Sequence, residues 1–101
     1  MIETPRIRLD RWLFHVRVFK TRSLAAERIQ AGGIRVNGLP CRKAARLVGP
    51  GDHVIISAGG RLLALEVLSI GERRGPASEA RGLYRLLNSE ENGQEPHLEV
   101  E

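Results

Sequence analysis

The sequence predicts an α+β domain in which two short helices pack on a small, mostly antiparallel sheet, with a short C-terminal helix and a disordered acidic tail after it. Three observations carry that expectation. Apolar residues at Leu9, Trp12, Leu13 and Val16 follow the i, i+3, i+4, i+7 spacing of one buried helix face near the N-terminus. Beyond them, glycine-marked turns separate segments that alternate apolar and polar residues, the pattern of strands. From Asn88 onward large apolar groups nearly vanish, and such a composition does not sustain a packed core.

Taken in order, the first helix is predicted from about Arg8 to Phe19, with Asp10 in the first turn where a carboxylate meets the positive end of the helix dipole. Lys20-Thr21-Arg22-Ser23 breaks the apolar pattern. Thr21 or Ser23 can cap a second helix from about Leu24 to Ala31, which Gly32-Gly33 ends by offering the left-handed conformation. Ile34-Arg35-Val36 alternates as a strand, and Asn37-Gly38 is a strong two-residue hairpin signal. Pro40 confines the next segment, with Cys41, Arg42 and Lys43 on it, to a sheet edge or an irregular path. After a Pro50-Gly51-Asp52 turn, His53 to Ser57 and Arg61 to Ile70 read as a hairpin joined at Ala58-Gly59-Gly60. Glu79 to Leu87 is predicted as a short helix with Leu83, Leu86 and Leu87 turned inward. Residues 1–87 thus form one domain and residues 88–101 a disordered acidic tail.

Charge is segregated along these segments. The 101 residues carry a net charge of +4, yet all 16 Lys and Arg precede Asn88 while the last 14 residues hold five Glu and no base. The first 87 residues therefore set 16 bases against seven acids, a net of +9, which is a nucleic-acid-scale charge. Fourteen of the bases are arginine, whose planar fork suits bidentate phosphate contacts. Aromatic material is confined to Trp12, Phe14, Phe19 and Tyr84, too little for a platform that stacks successive bases. Recognition must then rest on charge and shape. A generic basic surface kept for solubility is the plainer alternative.

The densest candidate surface lies at the junction of the two helices. Arg8, Arg11 and His15 recur at i, i+3 and i+7 on a stripe expected to point away from the core, although His15 is as readily a plain surface residue. Thr21, Arg22 and Ser23 stand at the mouth of the second helix, where unpaired backbone N–H groups and the positive dipole end make a phosphate seat. Arg22 is unfavourable for the helix there, by up to about 1 kcal/mol. A phosphate beside it gives that position a purpose; an ion pair with Glu27 is the plainer alternative.

Four motifs at these positions resemble a known family. Arg8-Leu9-Asp10-Arg11-Trp12-Leu13, then Lys20-Thr21-Arg22-Ser23, then Gly33-Ile34-Arg35-Val36-Asn37-Gly38, then Pro50-Gly51-Asp52 resemble the RNA-binding domain named after small-subunit ribosomal protein four, the alpha-L motif, over residues 8 to about 57. Arg73-Arg74-Gly75-Pro76-Ala77-Ser78-Glu79-Ala80 with Leu83-Tyr84 extends the likeness to the bacterial ribosome-associated heat-shock protein fifteen family. The resemblance implies a cytoplasmic, non-catalytic RNA-binding protein that associates with ribosomal RNA of the large subunit and deals with peptidyl-tRNA on stalled ribosomes. Carried over by position, it implies an RNA surface of Arg8, Arg11, Lys20, Thr21, Arg22, Ser23, Arg35, Asn37 and Lys43, with Asn37 and Gly38 better suited to shaping the hairpin. Leu9, Leu13, Ala25, Ile29 and Val36 match core positions.

Other chemistries find little footing. The three histidines are scattered and Cys41 is the lone cysteine, so neither a metal site nor an internal disulfide is expected. Beside Arg42 and Lys43 the Cys41 thiol could be activated, but a partly buried, inert thiol is the simpler reading. No Ser/His/Asp or paired-carboxylate set is identifiable, and no cofactor is expected. No apolar run is long enough to span a bilayer, and the N-terminus lacks the pattern of a signal peptide. The rival function class is a DNA-binding winged helix-turn-helix, which also has two helices and a hairpin. Against it, the second helix offers Ala26, Glu27 and Gln30 where a recognition helix needs base-reading donors.

Overall fold

A pair of two-residue strands, β1 (Ile7–Arg8) and β4 (Leu47–Val48), opens the fold in the computed structural model, which describes residues 4–88. They pair antiparallel, Ile7 with Val48 and Arg8 with Leu47, and they deliver the chain into α1 (Leu9–His15). The sequence pattern does not predict this pair, because two residues carry no periodicity. α2 (Arg22–Ala31) comes next, then β2 (Ile34–Val36), β3 (Leu39–Pro40), β5 (His53–Ala58), β6 (Arg61–Val67), the short α3 (Ala77–Ala80), a 3₁₀ turn at Arg81–Leu83 and β7 (Tyr84–Leu86). The main sheet is antiparallel with strand order β3-β2-β5-β6-β7. The predicted α+β class, with short helices on antiparallel strands, is the architecture observed.

Alternation explains how the sheet closes on the helices. Val54, Ile56 and Ala58 of β5 and Leu63, Leu65 and Val67 of β6 are buried, as are Ile34 and Val36 of β2, while the residues between them are more exposed. They share one core with Leu9, Trp12, Leu13 and Val16 of the first helical segment and Ala25 and Ile29 of α2. All five core positions named from the sequence motifs are buried. Each large aliphatic side chain buried this way contributes about 1.5–3 kcal/mol relative to exposure.

Both helices stop by the same backbone device. At the end of α2, Gly32 takes φ 101° and its N–H donates to Ile29 O at 3.2 Å, while Gly33 N–H donates to Arg28 O at 3.3 Å. At the end of α1, Arg17 takes φ 67°, its N–H donates to Phe14 O at 3.1 Å, and Val18 N–H donates to Leu13 O at 3.1 Å. This paired closure through a left-handed residue is a Schellman motif. Helix one therefore ends at His15, four residues short of the predicted Phe19, because an arginine adopts the conformation that glycine normally marks.

Three further boundaries differ from the sequence reading. α2 begins at Arg22 rather than Leu24, since Thr21 is its cap, accepting from Leu24 N–H at 3.0 Å. β6 ends at Val67 rather than running to Ile70. The predicted helix from Glu79 to Leu87 exists only as far as Ala80 plus the 3₁₀ turn; Tyr84–Leu86 instead pairs with β6, Val67 opposite Tyr84 and Leu65 opposite Leu86. Leu83 and Leu86 are half-buried as expected, but Leu87 is exposed. Spacing at i, i+3 and i+4 fits either conformation over so few residues, and the open edge of β6 decides between them. Leu87 N–H continues the ladder to Ala64 O at 2.7 Å, and the Asn88 side chain accepts from Ala64 N–H at 2.9 Å and donates to Leu62 O at 2.6 Å. The disordered tail expected from Asn88 therefore does not include Asn88, which these two bonds hold against β6; the rest of that expected stretch, residues 89–101, lies outside the described residues.

Two turns are as read. Asn37 (φ 52°) and Gly38 (φ 85°) join β2 to β3, both in the left-handed region that a two-residue hairpin of this twist requires. Pro40 sits on the edge strand, where its missing N–H costs no ladder bond. Gly59 and Gly60 likewise turn β5 into β6.

Candidate nucleic-acid interface

Asp10 organises the basic face, a role its sequence position does not reveal. Its side chain is 5% exposed, yet Arg8 reaches it with two guanidinium nitrogens at 3.1 and 3.0 Å and Arg22 Nη2 approaches at 3.8 Å. Asp10 thereby braces one arginine from the start of α1 and one from the start of α2. The hydrogen bond and the charge of Asp10 raise the Arg8 pKa further above its ordinary value. About half of each arginine side chain stays exposed, 48% for Arg8 and 44% for Arg22, so both keep donors for an incoming anion. Arg22 is paired with Asp10 and not with Glu27.

The mouth of α2 is a donor cluster. Thr21 Oγ1 satisfies Leu24 N–H and Thr21 O accepts from Ala25 N–H. The backbone N–H groups of Arg22 and Ser23, in the first turn, have no partner among the described residues. Two unsatisfied donors beside an arginine at a positive dipole end suit a phosphate oxygen. Lys20, Thr21, Arg22 and Ser23 are all exposed in this one stretch, and Arg11 is exposed on α1.

The remaining candidates divide. Arg35 is exposed on β2, where its guanidinium donates to Gly38 O at 3.3 Å, and Lys43 is exposed in the loop after β3. Asn37 is committed to the fold: its amide donates to Asp52 Oδ1 at 3.1 Å and its oxygen accepts from His53 N–H at 2.8 Å. The hairpin-shaping role is thus the one its side chain performs. His15, expected on the outward stripe with Arg8 and Arg11, is instead 4% exposed with Nδ1 3.1 Å from Ile70 O. Residues 69–71 cover that side of α1, a long-range contact invisible to helical spacing. Cys41 is buried, with Sγ 3.6 Å from Lys43 O. Among the described residues no three His, Cys, Asp or Glu side chains gather as a metal site, and no helix is long and apolar enough to cross a membrane.

Comparison with known proteins gives this geometry its context. The family model described as S4 domain matches residues 7–54. Heat shock protein 15 of Escherichia coli (strain K12) is 38% identical over 86 residues, covering 83% of this chain and 64% of that protein. The chain thus spans less than two thirds of the length of that relative. The RQC P-site tRNA stabilizing factor of Bacillus subtilis (strain 168) is 33% identical over 88 residues, covering 87% of this chain and 100% of that protein. Among solved structures, the trimeric structure of Vibrio cholerae Heat Shock Protein 15 superposes with a TM-score of 0.76 at 33% identity, covering 81% of this chain and 82% of that one.

Proposed function

Because this chain belongs to the S4-domain family that includes Heat shock protein 15 and the RQC P-site tRNA stabilizing factor, we propose that it is a non-catalytic RNA-binding protein of the cytoplasm, acting on structured RNA of the large ribosomal subunit and on peptidyl-tRNA in ribosome quality control. The observation that carries this reading is the donor cluster at the mouth of α2, flanked by Arg8 and Arg22 on their shared brace Asp10. Arg8, Arg11, Lys20, Thr21, Arg22 and Ser23 form the principal surface, with Arg35 and Lys43 adding charge at its margin. The binding unit comprises residues 1–87, which hold every Lys and Arg; residues 88–101 stand apart from it in charge. The name of the Bacillus subtilis relative points to transfer RNA in the P site, and the basic face is suited to such a backbone-reading task. No observation favours the duplex-DNA alternative, since α2 exposes Glu27 and Gln30 beyond its first turn.

Binding of this kind is mainly electrostatic. With about four to six phosphates neutralised, log affinity for ribosomal RNA falls with log salt at a slope of roughly −3 to −5. Arg22→Ala weakens binding by about 1.5–3 kcal/mol through loss of a charge-assisted contact, and leaves the melting temperature within a few degrees because the ion pair lost with Asp10 is partly exposed. Filter-binding titrations across salt concentrations, with thermal melts alongside, check both. A slope near zero, or parental affinity in Arg22→Ala, overturns the reading.

A further inference from the structure

The segment after β6 builds a second arginine site on the far flank of α1. Trp12 Nε1 donates to Ser69 O at 3.0 Å, His15 Nδ1 meets Ile70 O at 3.1 Å, and Arg17 Nη1 donates to Gly75 O at 2.9 Å. These contacts fix residues 69–75 against α1 and its exit, outside residues 7–54 that match the S4 domain. In the turn so held, the Arg74 guanidinium carbon lies 5.1 Å from the centroid of the Phe14 ring. Arg73 is 65% exposed, in an ion pair with Glu79 at 3.0 Å whose acid is itself 56% exposed. Phe14 lies three residues beyond Arg11, which places both on one face of α1, and neither is fully buried. Arg11 and Phe14 therefore share the outward side of α1, and Arg74 reaches that side by lying over Phe14.

We propose that Arg73 and Arg74 make a second set of RNA-backbone contacts, so that one RNA lies across α1 and is held on both flanks. This rests on the RNA-binding reading given above. An aromatic ring under a guanidinium fixes its plane; Arg74 is half-buried with its Nε shielded from solvent, and a phosphate would meet it in exchange for an interaction that it already makes. The acids of this flank, Glu72 and Glu79, are exposed, and a solvent-exposed ion pair such as Arg73–Glu79 is weak enough to exchange for a phosphate.

The test titrates the full chain with large-subunit ribosomal RNA across a salt series, comparing the parent, Arg22→Ala, and a double variant Arg73→Gln with Arg74→Met. Methionine keeps an apolar stem over Phe14 while removing the charge. The double variant is expected to bind about tenfold more weakly at low salt, with a salt slope shallower by about two. If Arg22→Ala weakens binding while the double variant keeps parental affinity and slope, the second site is overturned and the RNA-binding reading stands. Parental binding by both overturns both. Should the double variant melt lower than the parent, Arg73→Gln alone decides: a slope shallower by about one supports the proposal, and an unchanged slope overturns it.

Discussion

α1 and α2 end in one backbone geometry built on opposite choices of residue. Gly32 enters the left-handed region with no Cβ to oppose it, whereas Arg17 does so at φ 67° at a cost of about 1–2 kcal/mol. α2 needs no help from elsewhere; Arg42 merely lies beside Gly32, where a cation suits the negative end of the helix. α1 is held from outside, because the Arg17 guanidinium donates to Gly75 O and Leu13 and Val18, whose groups close the motif, are fully buried. Strained backbone persists where surrounding structure over-determines it. The difference shows that α2 is terminated locally and α1 by tertiary structure, and the strained turn sits directly before the basic junction.

Three substitutions probe that contrast. Leu13→Ala should have the largest effect, about 2–5 kcal/mol of stability, since it opens the core beneath the α1 closure. A fall in melting temperature of roughly 4–8 °C per kcal/mol is the readout, and a loss under about 1 kcal/mol would mean that packing does not hold that turn. Gly32→Ala should cost about 1–2 kcal/mol, because φ 101° strains any Cβ and the added methyl comes within 2.9 Å of Arg42 Nη2. A neutral result in chemical denaturation would remove the claim that α2 ends by local preference. Arg17→Gly should change stability least, within about 1 kcal/mol, as relief of strain offsets the lost hydrogen bond to Gly75 and the greater freedom of the unfolded chain. Stabilisation well beyond that range would show that the contact with the 69–75 segment contributes nothing to holding α1.

The same contrast explains what the sequence discloses. Gly32-Gly33, Asn37-Gly38 and Gly59-Gly60 announce their turns because their conformations are demanded by local sterics, and the alternating β2, β5 and β6 are legible from their pattern. The end of α1 is hidden because Arg17 is an improbable left-handed residue. β7 reads as helix because Leu83, Leu86 and Leu87 fit a helical period, and only the open edge of β6 distinguishes the two. In the basic face, Thr21, Arg22 and Ser23 are legible as a helix mouth. The bracing by Asp10 and the burial of His15 are not, since both depend on which distant segment covers which side of a seven-residue helix.

The last described residue has a consequence for behaviour in a crowded solution. Where β7 gives out, the carboxamide of Asn88 stands in for a strand backbone, accepting from Ala64 N–H and donating to Leu62 O. Unpaired strand edges invite another chain to add itself and so start aggregation. One side chain thus finishes the ladder along β6 and, among the described residues, leaves the three-residue β7 as the outer margin on that side, a short template on which a foreign strand gains few hydrogen bonds.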